Sequence, residues 1–494
     1  MRRVILILTL VAIGVGCDRH PSFDQELDPE APHALRSHVA WVLPSQQQVT
    51  LLHPDTLQLH RVALAAAPEA AHRAPDGRGL LVLDAEGVTW IPVSDAGVGA
   101  ARRIALNGAY RRVAFAPEAN RAVLFGEAGS GRAALSNPNQ IAIVDLDTGE
   151  ATERTLRSYG SAPQTVAIGP AGPLAGFDRQ LAWLLAERYL AVLDLTAPAA
   201  PEVVVHLVLA DDTREVTPTE MAFAEVDGVQ TAFVRALGSD DVFSLVFPDE
   251  AAVDAVPRPY LNQLAAAPAP SDLVVDTVAD GQRVFTAGAD ILSITHPATG
   301  RRTAVEVGLP ASRILPFNAP RDDDLVQGDG AYALLWSEGS SAVVFADLDL
   351  VERRGGRALT PLVLSAPITG LQPLPNRRGA VARLGDIGLA LLDFEARTAT
   401  PLMASGRLVS LVVAASGDRI HALVEDGDHA LVTIDTDTGA STATPLSGGG
   451  VLLHIPGVDR AMVDHRHDWG HISVLRDETI TERDGVFLEG ALDP

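Results

Sequence analysis

The sequence predicts an all-β fold, a β-propeller built of four-stranded blades, and three observations predict it. A hairpin signature recurs down the chain, a second signature ending in an Asp turn follows each copy, and the pair returns about every 40 to 50 residues. A lone four-stranded meander leaves both of its faces uncovered. Repeats of this period therefore have to stack on their neighbours, and stacking around an axis makes a propeller.

The hairpin signature is an apolar run, a tight acidic or glycine turn and a second apolar run. Ala74-Pro75-Asp76-Gly77-Arg78-Gly79 supplies such a turn and leads at once into Leu80-Leu81-Val82-Leu83-Asp84. Val113-Ala114-Phe115 and Arg121-Ala122-Val123-Leu124-Phe125 flank a turn at 116–120, and Leu411-Val412-Val413 and Arg419-Ile420-His421-Ala422-Leu423 flank its counterpart at 414–418. The arginine falls at the same place after both turns. Residues 273–285, turning at Ala279-Asp280-Gly281, and 221–234, turning at Asp227-Gly228, are further copies.

The second signature is a third strand ending in Asp, followed by a Thr-Gly type turn and a fourth strand. Ile143-Val144-Asp145-Leu146-Asp147-Thr148-Gly149 is matched by Thr433-Ile434-Asp435-Thr436-Asp437-Thr438-Gly439. Looser copies end at Asp194, Asp347 and Asp393, and one has His296-Pro297-Ala298-Thr299-Gly300 in place of the Asp turn. Together the two signatures place repeat units near 71–106, 110–156, 162–209, 217–264, 269–309, 311–364, 366–406 and 407–449. The terminal pieces, 39–65 and 450–489, are expected to combine into one closing unit; because that tally overshoots the usual range of about 4–8 blades, one unit is expected to be an insertion or an edge extension, for seven or eight blades in all.

The motifs across 70–450 resemble the YVTN-type and WD40-like propeller repeats of exported bacterial proteins. No Trp-Asp dipeptide closes a repeat, and no Trp follows Thr-Gly as it does in quinoprotein propellers. An Asp-box is missing too, although Asp84-Ala85-Glu86-Gly87-Val88-Thr89-Trp90 comes within one residue of its spacing.

Ahead of the repeats, Arg2 and Arg3 precede an apolar run at 4–15, shorter than the ~20 residues that span a bilayer, and the pattern is that of a secretory signal. Gly14-Val15-Gly16-Cys17 resembles the lipobox of bacterial lipoproteins, in which the cysteine becomes the acylated first residue. The resemblance implies lipidation at Cys17, export and attachment to an envelope membrane, facing the periplasm or the cell surface. The expected organisation is a signal peptide at 1–16, a flexible tether at 17–35, rich in Pro and acids, and the propeller at 36–490.

Composition narrows the chemistry. The formal net charge of −25 repels nucleic acid and anionic headgroups. All 38 basic residues are Arg, so no Schiff base, P-loop lysine or lysine general base can form. With 47% apolar residues and one cysteine, the chain must hold itself together by core packing rather than by disulfides.

Candidate sites are few. Gly126-Glu127-Ala128-Gly129-Ser130-Gly131-Arg132-Ala133 has the glycine spacing of a phosphate loop, but Arg132 and Ala133 replace the Lys and Ser/Thr that would do the work, so it reads as a hairpin connection. Arg321-Asp322-Asp323-Asp324 with Asp329 lacks the Gly and downstream Glu of a calcium loop and reads as a solvated acidic loop. No Gly-x-Ser-x-Gly elbow occurs. His465, His467 and His471, near His454, Asp464 and Asp468, are the densest metal-competent cluster; on a strand, alternation would set His465 and His467 on one face. The competing reading is a polar hairpin tip, with no metal and no cofactor. The expected function is a membrane-anchored, protein-binding or scaffold propeller, with its partner unspecified and no catalytic residue identified. The alternative is a lactonase- or hydrolase-type enzyme whose acids and bases would gather in the axial channel.

Overall fold

Strands that are apolar on both faces need a cover on both faces, and that requirement sets the architecture. In the repeat around Trp183, Leu181–Leu185 and Tyr189–Asp194 are buried at every position. The flanking strands are more exposed, as in Thr165–Ile168 and Val203–His206. Each sheet is thus an antiparallel meander whose two middle strands lie between neighbouring sheets. The computed structural model describes residues 27–488, except 119, 127–136, 138, 158–161, 209–215, 249–254, 321–328, 376–378, 387, 403–405 and 477–478. Cys17 and the leader, most of the glycine-rich stretch after Gly126 and the acidic run at 321–324 lie outside the described residues.

The described residues form nine four-stranded sheets and one five-stranded sheet, which make ten blades. This corrects the expected seven or eight. The eight internal units fall where the motifs place them, but each terminal piece is a complete blade. Blade 1 consists of His33–Ala34, Val39–Leu43, Gln48–Leu52 and Leu59–Ala63. Blade 10 consists of Val451–Ile455, Arg460–Asp464, Ile472–Arg476 and Thr479–Arg483. Among the described residues no strand is shared between the two ends. In blade 4 an extra hairpin, Gly172–Leu174 with Phe177–Arg179, is inserted after the first strand.

The core is divided among the joints. Ten apolar clusters are formed, each shared by two successive blades. The one that closes the ring joins Trp41 and Leu52 of blade 1 to Met462, Val474 and Phe487 of the last blade and its tail. At six of the ten joints the first strands of neighbouring blades touch one another, blade 1 against blade 10 included, which puts them on the inside.

Polar contacts reinforce the closing seam. The fully buried Trp41 indole N–H donates to Asp464 Oδ2 at 2.9 Å, and its ring meets Phe487 edge-on at 5.5 Å. Arg460 pairs with Asp55 at 2.8 Å, and Arg476 donates to the carbonyls of Pro54 and Asp55 at 2.7 and 2.6 Å. Among the described residues no helix is long and apolar enough to cross a membrane.

Candidate functional site

The histidine cluster lies in the connection between the second and third strands of blade 10. Pairing of Asp464 with Ile472 is extended one step by the His465 N–H, which donates to His471 O at 3.0 Å. His465 and His471 therefore stand across the turn from each other, with ring centroids 4.3 Å apart.

His467 is not part of this group. Arg466 adopts a left-handed backbone, φ +55°, so the strand alternation expected to align His465 with His467 is broken between them. The exposed His467 ring instead accepts the Trp469 N–H at Nδ1, 3.2 Å away, and packs edge-on against the indole. The neighbouring groups also have other work. His454 Nε2 accepts the Ala415 N–H at 2.9 Å, Asp464 serves the seam, and Asp468 is exposed.

What replaces His467 comes from the last strand and the tail behind it. Ser473 pairs with Glu482 across the sheet, so Glu482 stands beside the two imidazoles. The tail then folds back over the turn, with the N–H groups of Val486 and Phe487 donating to the carbonyls of Gly470 and Trp469, both at 3.1 Å. Gly470 has φ +79°, and a Cβ there would come within 2.9 Å of the Phe487 ring, so this docking requires glycine. Docking brings Asp484 against His471 Nδ1.

The contacts on the two rings are specific. His465 Nδ1 is 3.2 Å from the Gly449 carbonyl, and its Nε2 is 2.7 Å from Ser473 Oγ. His471 Nε2 is 2.8 Å from Ser447 Oγ. Glu482 Oε1 lies 3.4 Å from both Ser473 Oγ and the Ser447 N–H. One ligand atom each from His465, His471 and Glu482 falls within 4.8 Å of the other two. Burial, with His471 beside it, pushes His465 below its ordinary pKa, so the ring is neutral at neutral pH. The hydrogen bond from Ser447 holds the Glu482 carboxyl below its ordinary range, so it is ionised there. Two imidazoles and a carboxylate suit a divalent cation.

Sequence reasoning found two of these three residues. It could have weighed His465 and His471 as a pair flanking a turn. Glu482 belongs to the next strand, and only the register brings it in.

The first strands are organised differently. Several of their ionisable side chains reach sideways into a neighbouring blade, while Glu220 pairs with Arg235 and Arg407 with Glu425 inside their own blades. Arg73 donates to Ala34 O at 2.9 Å, His72 Nε2 to Arg111 O at 2.7 Å and Arg112 to Gln164 O at 2.5 Å. Asp272 accepts the Ile314 N–H at 2.7 Å. These last four contacts join adjacent blades.

No protein-family model matches the sequence, and no curated protein matches it either. Among solved structures the chain is similar to dihydro-heme d1 dehydrogenase NirN in complex with DHE, at 12% identity over 84% of this chain and 74% of that one, with a TM-score of 0.44. A eukaryotic initiation factor matches at 11% identity over 93% and 97% of the two chains, with a TM-score of 0.41. Hydrazine synthase from Kuenenia stuttgartiensis matches at 14% identity over 77% and 97%, with a TM-score of 0.30. Likeness of this degree carries no substrate, cofactor or partner over to this chain.

Proposed function

We propose that the protein is an envelope lipoprotein, held to a membrane through Cys17, whose ring serves as a protein-binding scaffold. The observation that carries the scaffold reading is the use made of the inner strands. The described ionisable groups named there are engaged between blades or within them, so the loop faces and the outer rim are the surfaces with side chains to spare for recognition. The formal charge of −25 favours a partner with a basic face and disfavours nucleic acid. Lipid attachment rests on the cysteine and the leader before it.

In-cell cross-linking followed by purification from solubilised membranes tests the scaffold. One protein partner is expected at stoichiometric yield, and in parallel purifications without cross-linker its recovery is expected to fall as ionic strength rises. Recovery of the uncross-linked chain alone would end that reading. Mass spectrometry of the amino terminus tests the anchor independently: an acylated Cys17 is expected, together with release of a Cys17→Ala variant from the membrane fraction. An unmodified cysteine would retire the anchor and leave the scaffold standing.

A further inference from the structure

We propose that His465, His471 and Glu482 form a binding site for a divalent transition-metal ion of the zinc type, with two imidazole nitrogens and one carboxylate as ligands. The site stands independently of the scaffold reading. Its case rests on how the two rings are held and on how close their ligand atoms lie.

A carbonyl oxygen can only accept, and so can an ionised carboxylate. His465 faces the Gly449 carbonyl with Nδ1, and His471 faces the Asp484 carboxylate with Nδ1. In the neutral form of either ring the proton therefore sits on Nδ1 and the lone pair on Nε2. Those two lone pairs point to the side where the Ser473 and Ser447 hydroxyls lie, beside the Glu482 carboxylate. An imidazole whose rear N–H is held by a carbonyl or carboxylate, with its other nitrogen free to ligate, is the arrangement that fixes metal-binding histidines. Here both rings have it.

The scaffold behind the ligands is firm. The cluster is assembled from the connection before Val451–Ile455, the turn before Ile472–Arg476, the strand Thr479–Arg483 and the tail that folds back onto Gly470. The separations are near those needed. Ligand atoms about 2.1 Å from a tetrahedral ion stand roughly 3.4 Å apart, so a group within 4.8 Å must contract by an ångström or so. Glu482 is exposed and can supply that movement by rotating its side chain, while the two serine hydroxyls turn away. Three protein ligands leave a fourth position for water or for a donor from outside. The presence of two imidazoles favours zinc over calcium or magnesium, which take oxygen ligands.

The test uses the full chain, purified without a histidine tag, stripped with a chelator and titrated with zinc chloride by calorimetry. One zinc per chain is expected, with affinity falling below neutral pH as the imidazoles take up protons. His465→Gln and His471→Gln should each abolish stoichiometric binding, and Glu482→Gln should weaken it at least tenfold. Asp484→Asn should weaken it by roughly 10- to 100-fold through the ring it holds. His467→Gln should bind as the parent does. Where a histidine variant fails to fold, the parent protein loaded with cobalt decides: intense visible bands of tetrahedral coordination are expected. Absence of stoichiometric zinc in the parent, featureless cobalt spectra, or equal loss in His467→Gln would each overturn the site.

Discussion

At the scale of single residues, the Asp that ends a third strand is a turn-forming device, and it can be read in the sequence because the turn N–H groups it accepts lie two and three residues on. Asp435 Oδ1 accepts the N–H groups of Thr438 at 2.7 Å and Asp437 at 3.0 Å, and Asp145 does the same for Thr148 and Asp147 at the same two distances. Gly439 completes the turn at φ +68°. Asp435→Ala is expected to cost about 1 kcal/mol in a urea titration, with Asp435→Asn retaining most of the stability. Gly439→Ala should cost a similar ~1 kcal/mol from backbone conformation alone, since a Cβ there meets nothing within 4 Å. His421, on the second strand of blade 9, shows the opposite kind of residue, whose role no local pattern reveals. Burial, with His454 adding to it, pushes its pKa from 6.5 to about 4. Below pH 6.5 the unfolded chain takes up a proton that the folded chain refuses until about pH 4, so stability is full above 6.5 and declines across that window. The loss approaches about 3 kcal/mol at most. Urea midpoints measured from pH 7 to pH 4 should fall less steeply for His421→Gln than for the parent. Equal slopes would remove His421 from the account.

At the scale of elements, hairpins were legible and joints were not. The recurring runs around 113–125 and 411–423 fold as first and second strands with the pairing that their turns imply. What links one blade to the next is spread across the sequence. Arg102 on the last strand of blade 2 donates to the carbonyls of Leu146 and Asp147 at 2.6 and 2.5 Å, and Arg154 of blade 3 reaches Pro198 O at 3.2 Å and the Glu202 carboxylate. Arg476 repeats the move across the closing seam onto two carbonyls of blade 1. A guanidinium can serve two acceptors from one planar fork, which a lysine ammonium does less well, so a chain whose basic residues are all arginine is well supplied for this task. The bond from Trp41 to Asp464 joins residues 423 positions apart, beyond any local pattern. Asp464→Ala leaves the buried indole N–H without an acceptor, and the expected cost is about 1–3 kcal/mol. Trp41→Phe removes that donor in advance, so Asp464→Ala made in its background should cost clearly less. Additive costs in this double-mutant cycle would show that the bond does not stabilise the seam. The histidine site teaches the same lesson, since Glu482 joins His465 and His471 through strand register and not through spacing.

At the scale of the whole molecule, the number of blades is fixed by how neighbouring sheets pack, which no single repeat contains. A hairpin such as 273–285 has the same turn and strand pattern in a ring of seven or of ten, so the repeats could be found and their total still be misjudged. The expected total fell short because two terminal pieces were read as one unit and one internal unit as an insertion, whereas each terminal piece carries four strands of its own and all eight internal units are blades. Because each apolar cluster among the described residues is shared by successive blades, the end blades cover each other and rely on each other. This makes the response to truncation diagnostic. Ending the chain after Leu446 removes blade 10, uncovering Trp41, Leu43 and Leu52 on blade 1 and Leu423 and Leu431 on blade 9. Two apolar sheet faces then meet water at once, and the nine remaining blades can escape this only by repacking every joint to a new angle, which densely packed interfaces resist. The shortened chain is expected to bind a hydrophobic dye and to associate on size-exclusion chromatography, while the full chain does neither. A monodisperse, dye-silent truncation would mean that the joints can re-form a smaller ring, and that blade number is a tolerance of this fold rather than a property its interfaces enforce.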